Sequence, residues 1–117
     1  MYAQATTIRV PLGTMAQMRQ IIENEYLPNV SSQPGFVRAY FLEQTDDSDY
    51  AMLIVAWESQ ADVENYNRNN LLEASVQALT VRLPGVRIQR AGYVVRVVAG
   101  AEPDNTQETK PASVSTN

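Results

Sequence analysis

The chain has 117 residues, 44% hydrophobic and 19% charged, with a formal charge of −4 and neither cysteine nor histidine. That length fits one compact domain with a modest core. The missing cysteine excludes disulfides, iron–sulfur clusters, zinc thiolate sites and thiol nucleophiles. The missing histidine excludes imidazole ligation of haem or metal, and Ser–His or Cys–His catalysis.

With 9 basic against 13 acidic residues, nothing favours a phosphate backbone, and no nucleic-acid partner is expected. Arg82, Arg87, Arg90 and Arg96 share an acid-free stretch. They read as surface arginines at strand ends, paired across the sheet, with an anionic ligand or partner surface as the alternative. The N-terminus lacks a basic start and an apolar stretch, and the longest apolar run, Ala51 to Trp57, is too short to span a bilayer. A protein without a membrane partner, in the cytoplasm, is the expectation.

In chain order, Tyr2 to Val10 reads as a strand ended by Pro11-Leu12-Gly13. Thr14 is placed to cap a helix with Met15, Met18, Ile21, Ile22 and Glu25; Pro28 should kink or end it, with Val30 suggesting a further turn beyond. After Gln33-Pro34-Gly35, Phe36 to Gln44 and Tyr50 to Trp57 form a hairpin around the turn Asp46 to Asp49. Ser59 to Asp62 matches a capping box, followed by a helix bearing Val63 and Tyr66. Asn67, Asn69 and Asn70 should break that helix, and a second piece carries Leu72, Val76 and Leu79. Leu83-Pro84-Gly85 leads to a last strand, Val86 to Val98, with a bulge or bend at Gly92. Residues 1–98 thus make one domain, and the polar residues 99–117 a flexible C-terminal tail.

This order predicts an α+β, ferredoxin-like βαββαβ fold with a four-stranded antiparallel sheet. Such a sheet has helices on one face only, yet its middle strands are apolar on both. Tyr50, Met52 and Ile54 oppose Leu53, Val55 and Trp57, and Phe36, Tyr40 and Leu42 oppose Val37, Ala39 and Phe41. No remaining segment covers the second face, so a homodimer joined sheet to sheet is expected. Met15, Met18 and Met52 read as core filler.

Pro34-Gly35-Phe36 opening the second strand, Trp57-Glu58-Ser59 closing the third and Leu83-Pro84-Gly85 before the fourth resemble the antibiotic biosynthesis monooxygenase family. The resemblance covers residues 2 to 98 and implies a dimeric α+β barrel with a ligand cavity between sheet and helices. It also implies either oxygenation of phenols or quinols without a cofactor, or haem opening. The haem-degrading branch has an asparagine where Thr6 lies, a tryptophan where Tyr66 lies and a histidine near Val76, and this chain keeps none of them. The phenol-oxidising branch has the tryptophan kept here as Trp57. Its asparagine, tyrosine and arginine fall at Leu53, Val63 and near Val76 or Gln77.

The candidate ligand site is therefore Trp57, Tyr66, Leu53 and Phe41, with Thr6 added by resemblance and Arg38 as a cation for a carboxylate or phenolate. No catalytic residue is identified, no metal ligand set is visible, and no cofactor is implied. Asp46, Asp47 and Asp49 lack the glycine and terminal glutamate of a calcium loop. Two functions follow: a cofactor-independent oxygenase acting on a small aromatic or quinoid molecule, or a non-catalytic dimeric ligand-binding or scaffold module.

Overall fold

The computed structural model describes residues 1–68 and 71–100 and, within the last helix, the side chains at 74 and from 77 onward. Four strands, β1 (Tyr2–Arg9), β2 (Phe36–Glu43), β3 (Tyr50–Trp57) and β4 (Arg87–Val94), form one antiparallel sheet in the order β2-β3-β1-β4. The helices are α1 (Met15–Ile21), a π-helical turn (Ile22–Tyr26), α2 (Leu27–Val30), α3 (Gln60–Arg68) and α4 (Leu71–Arg82). This is the expected ferredoxin-like arrangement.

Strand β3 shows why the layers form. Its residues alternate without a break, with Ala51, Leu53, Val55 and Trp57 buried and Tyr50, Met52, Ile54 and Ala56 half-buried. The first set meets Met15, Met18, Ile21, Ile22, Tyr26, Val30, Tyr66, Leu79 and Leu83 in a single core. The second set lies on the open face with Ala3, Ala5, Ala91 and Tyr93, around a depression of about 430 Å³. Tyr40 and Leu42 are exposed on that face. Met52 belongs to it too and is not core filler.

Several expectations are corrected. A bulge at Val37 shifts the β2 register, so Phe36 pairs with Trp57 and sits on its side of the sheet, away from Tyr40 and Leu42. Thr14 does not cap α1; its hydroxyl donates to the Pro11 carbonyl at 2.7 Å. At Pro28, of the two readings, the helix is distorted and not ended, and the further turn expected at Val30 follows. Proline there removes the donor for one upstream carbonyl, and the chain responds with a π turn in which the Leu27 N–H reaches the Ile22 carbonyl, leaving Pro28 in the first turn of α2. Strand β4 ends at Val94, and Gly92 pairs with Gln4 in regular register without a bulge. The Val95 N–H still reaches the Met1 carbonyl at 2.9 Å, but Val97 and Val98 stand exposed beyond the sheet. The break at Asn69 and Asn70, the side chains of Leu72 and Val76, and the tail beyond Gly100 lie outside the described residues.

The capping box is present, with the Asp62 N–H donating to Ser59 Oγ at 3.1 Å and the Ser59 hydroxyl donating back to the Asp62 carboxylate at 2.8 Å. Gly35 packs against that carboxylate with φ +82°, and its carbonyl accepts the Glu58 N–H at 2.9 Å. A Cβ at this position would lie 2.1 Å from the Asp62 side chain. Gly35→Ala therefore meets both a left-handed backbone and a clash, and urea unfolding should show a loss of roughly 1–3 kcal/mol. An unchanged midpoint would mean that the β2 entry is not held by this packing.

Candidate functional site

The helix-facing side of the sheet is built in cross-strand rows. Phe41, Leu53, Thr6 and Arg90 are successive register partners and form one row. Phe36, Trp57, Tyr2 and Val94 form another, four residues, or roughly 13 Å, along the strands. Gln4 lies in the row between them, opposite Val55 and Gly92. Gln4 and Thr6 are polar residues on the inner face of a central strand, where packing alone calls for apolar ones.

Trp57 is fully buried. Phe36 meets its indole edge-on at 6.2 Å between ring centroids, and Tyr66 from α3 lies at 5.1 Å, tilted by 37°. Its Nε1–H has no hydrogen-bond partner, and among the described residues no other buried side-chain nitrogen or oxygen is left so. An unpaired buried donor costs about 1–3 kcal/mol. Tyr66 donates its hydroxyl proton to the Tyr26 hydroxyl at 3.3 Å, inside the core. Burial, then the bond to Tyr66, raises the Tyr26 hydroxyl above the ordinary phenol range, while the charge of Arg90 opposes the shift. Tyr26 thus stays protonated and able to donate.

The structure brings Trp57 and Tyr66 together and sets Phe41, Leu53 and Thr6 on the same face but in a separate row, beyond the row of Val55 and Gln4. Arg38 does not join them. The bulge at Val37 puts it on the open face beside Tyr40, whose hydroxyl its Nη1 approaches at 3.4 Å. Sequence reasoning missed Tyr26 and Gln4, and named Arg90 only as one of four arginines in the acid-free stretch. Gln4 and Arg90 were legible in principle, because counting by two from Thr6 reaches Gln4 and the antiparallel register places Arg90 beside Thr6. Nothing in the apolar spacing of the first helix distinguishes Tyr26 from a core residue.

Tyr26 also reaches the surface. With Ile21, Glu25 and Asn29 it forms one wall of a cleft of about 220 Å³, whose other wall is Ala74, Ala78, Leu79 and Arg82 of α4. The π turn sets consecutive residues, Glu25 and Tyr26, along this cleft. Across its rim, Arg82 Nη1 donates to both Glu25 oxygens at 2.5 and 2.6 Å. That bond holds the Glu25 carboxyl below the usual carboxylate range. Among the described residues no three acidic side chains come together as a metal site, and no helix is long and apolar enough to cross a membrane.

The family model for antibiotic biosynthesis monooxygenase matches residues 1–78. No curated protein sequence matches the chain. Among solved structures it is similar to SnoaB, a cofactor-independent oxygenase from Streptomyces nogalater, at 18% identity and a TM-score of 0.69, covering 83% of this chain and 94% of that one. A monooxygenase from the gene ActVA-Orf6 of Streptomyces coelicolor, in complex with nanaomycin D, is similar at 16% identity and a TM-score of 0.69, covering 86% and 92%. MhuD, a haem degrader from Mycobacterium tuberculosis with two haems in its active site, is similar at 16% identity and a TM-score of 0.63, covering 86% and 100%. At such identities the likeness establishes the fold.

The Tyr26–Tyr66 bond has a measurable signature. Tyr26→Phe and Tyr66→Phe should each destabilise by about 1–2 kcal/mol in urea, because each removes the buried bond between the two hydroxyls. The double variant should lose less than the sum of the two. Strict additivity would show that the hydroxyls do not interact.

Proposed function

The chain belongs to the antibiotic biosynthesis monooxygenase family, and from that premise we propose that it takes a small phenol or quinol between sheet and helices and oxygenates it with dioxygen and no cofactor. The observation that carries this reading is the buried, unpartnered Trp57 N–H, on an indole that packs against the ring of Tyr66, whose hydroxyl is bonded to that of Tyr26. A phenolate oxygen is the kind of acceptor such donors would hold, and Arg90 adds positive charge near Tyr26. An ionised phenol supplies its own electrons. For a naphthol the balance is naphthol plus dioxygen giving naphthoquinone plus water, one oxygen atom entering the ring and the other leaving as water.

The protein's part is then positioning and polarisation. The chain has no histidine, Tyr26 stays protonated, and Glu25 is held ionised by Arg82. None of these exchanges a proton near neutrality, so the substrate's own ionisation sets the pH dependence. Turnover should rise with pH and then level off, and the midpoint should move down for more acidic phenols in an oxygen-electrode series. A midpoint fixed across that series would point to a protein base instead.

Binding is tested by titrating 1-naphthol against the fluorescence of Trp57, the one tryptophan in the chain. Quenching is expected, and Trp57→Phe, followed by calorimetry, should bind roughly tenfold more weakly, about 1.4 kcal/mol. No quenching, no binding and no oxygen uptake would sink the proposal. A second reading, a non-catalytic ligand-binding module, is favoured by the apolar Leu53 and by the close packing of Phe36 and Tyr66 on the indole. Binding without oxygen consumption would establish it.

In either reading the open sheet face is covered by a second copy. Tyr40, Leu42, Met52 and Ile54 supply apolar area that at about 25 cal/mol per Å² favours association. Light scattering should give twice the 13.0 kDa chain mass. Ile54→Asp should give a monomer with unchanged far-UV circular dichroism, and a monomeric wild type at micromolar concentration would refute the dimer.

A further inference from the structure

The cleft between the first helical segment and α4 has apolar walls and a charged rim. Ala74 and Ala78 lie four apart on α4 and present only methyl groups, so with Leu79 they leave a slot facing Ile21 and Tyr26. The space, about 220 Å³, is smaller than the ~300–1,000 Å³ of drug-sized sites and suits a compact flat ligand. Walls of this kind accept any small aromatic, so discrimination falls to the rim. Among the described residues, the polar side chains there are Glu25, Asn29 and Arg82.

Arg82 and Glu25 are each about half exposed, at 45% and 52% by side chain. Pairs in such positions are weak and screened by salt, and a guanidinium exchanges one carboxylate for another with little loss. Arg90, paired with Thr6 on the sheet, adds charge of the same sign toward Tyr26. The sequence from Ala74 to Ala101 contains no acid, so the end of α4 and the strand after it bring only cations. Glu25, from the π turn, is the carboxylate that Arg82 meets.

We propose that Arg82 determines ligand specificity at this cleft, selecting compact aromatic molecules that carry a carboxylate. The ligand's anion replaces Glu25 on the guanidinium, and its ring lies along Ala74 and Ala78 toward Tyr26. This deepens the proposed function and rests on it, because it takes the cleft as the approach to the Tyr26–Tyr66 pair.

The test pairs two probes with one ring system, 2-naphthoate and 2-naphthol, titrated calorimetrically at pH 7. The wild-type protein, Arg82→Gln and Glu25→Gln are compared, all at rim positions outside the core. The wild type should bind naphthoate more tightly than naphthol. Arg82→Gln should weaken naphthoate about tenfold or more, the loss of one charge-assisted pair, while changing naphthol less than about twofold. Glu25→Gln removes the competing carboxylate and should tighten naphthoate several-fold. If naphthol binds but naphthoate is neither preferred nor sensitive to Arg82→Gln, the specificity proposal is overturned and the proposed function stands. If no form binds either probe, both fall.

Discussion

Trp57 sits where separate parts of the chain must agree, and the inner layer is organised around that agreement. It ends the central strand β3, takes Phe36 across one strand pair and Tyr2 across the other, and receives Tyr66 from the helix that follows. The chain reverses on both sides of it under tight constraint. Gly35 adopts a left-handed backbone so that its carbonyl can take the Glu58 N–H, and the Ser59–Asp62 cap starts α3 against that same glycine. Burying a large aromatic here stabilises the corner, yet its N–H is left without a partner. A corner selected for packing alone would be served by a phenylalanine, which buries a ring without that cost.

Chemistry follows from what the constraint leaves available. Apart from Glu25, held by Arg82, and Asn29 at the rim, the polar side chains described around the indole and the cleft donate hydrogen bonds or carry positive charge: Trp57 N–H, the hydroxyls of Tyr26 and Tyr66, and the guanidinium groups of Arg90 and Arg82. Such a set stabilises negative charge that a ligand brings or develops, and it has no group suited to removing a proton near neutrality. That asymmetry matches a substrate whose own acidity starts the reaction, and it matches a carboxylate at the cleft rim for the same electrostatic reason.

Much of the fold was legible because its signals are local. The strict alternation of β3, the turn at Asp46 to Asp49, the Ser59 cap and the glycines at 35 and 85 each fix a boundary with a few residues. What escaped depends on partners far along the chain. The bulge at Val37 reverses the facing of Phe36 and places Arg38 on the open side, and no residue in that run announces it. The π turn is a response of the helix backbone to Pro28, and the proline alone reads equally well as a stop. Of the candidate site, Trp57 and Tyr66 could be joined by counting along strand and helix. The pairing of Tyr26 with Tyr66, 40 positions apart, exists only once the helices are packed.

Strand β3 also links the two faces of the sheet. Met52 and Ile54 point outward from the same backbone that sends Leu53, Val55 and Trp57 inward, and β1 does likewise with Ala3 and Ala5 outside and Gln4 and Thr6 inside. A one-residue slip of either strand would exchange the two sets, putting Trp57 in solvent and Ile54 in the core. Whatever covers the open face therefore restrains the register on which the indole and the polar inner row depend. The exposed Tyr40 and Leu42 extend this apolar face onto the edge strand β2, so the surface that demands a partner reaches the strand whose bulge sets Phe36 against Trp57. Covering that surface would hold the bulge, and with it the wall of the site, in place from outside.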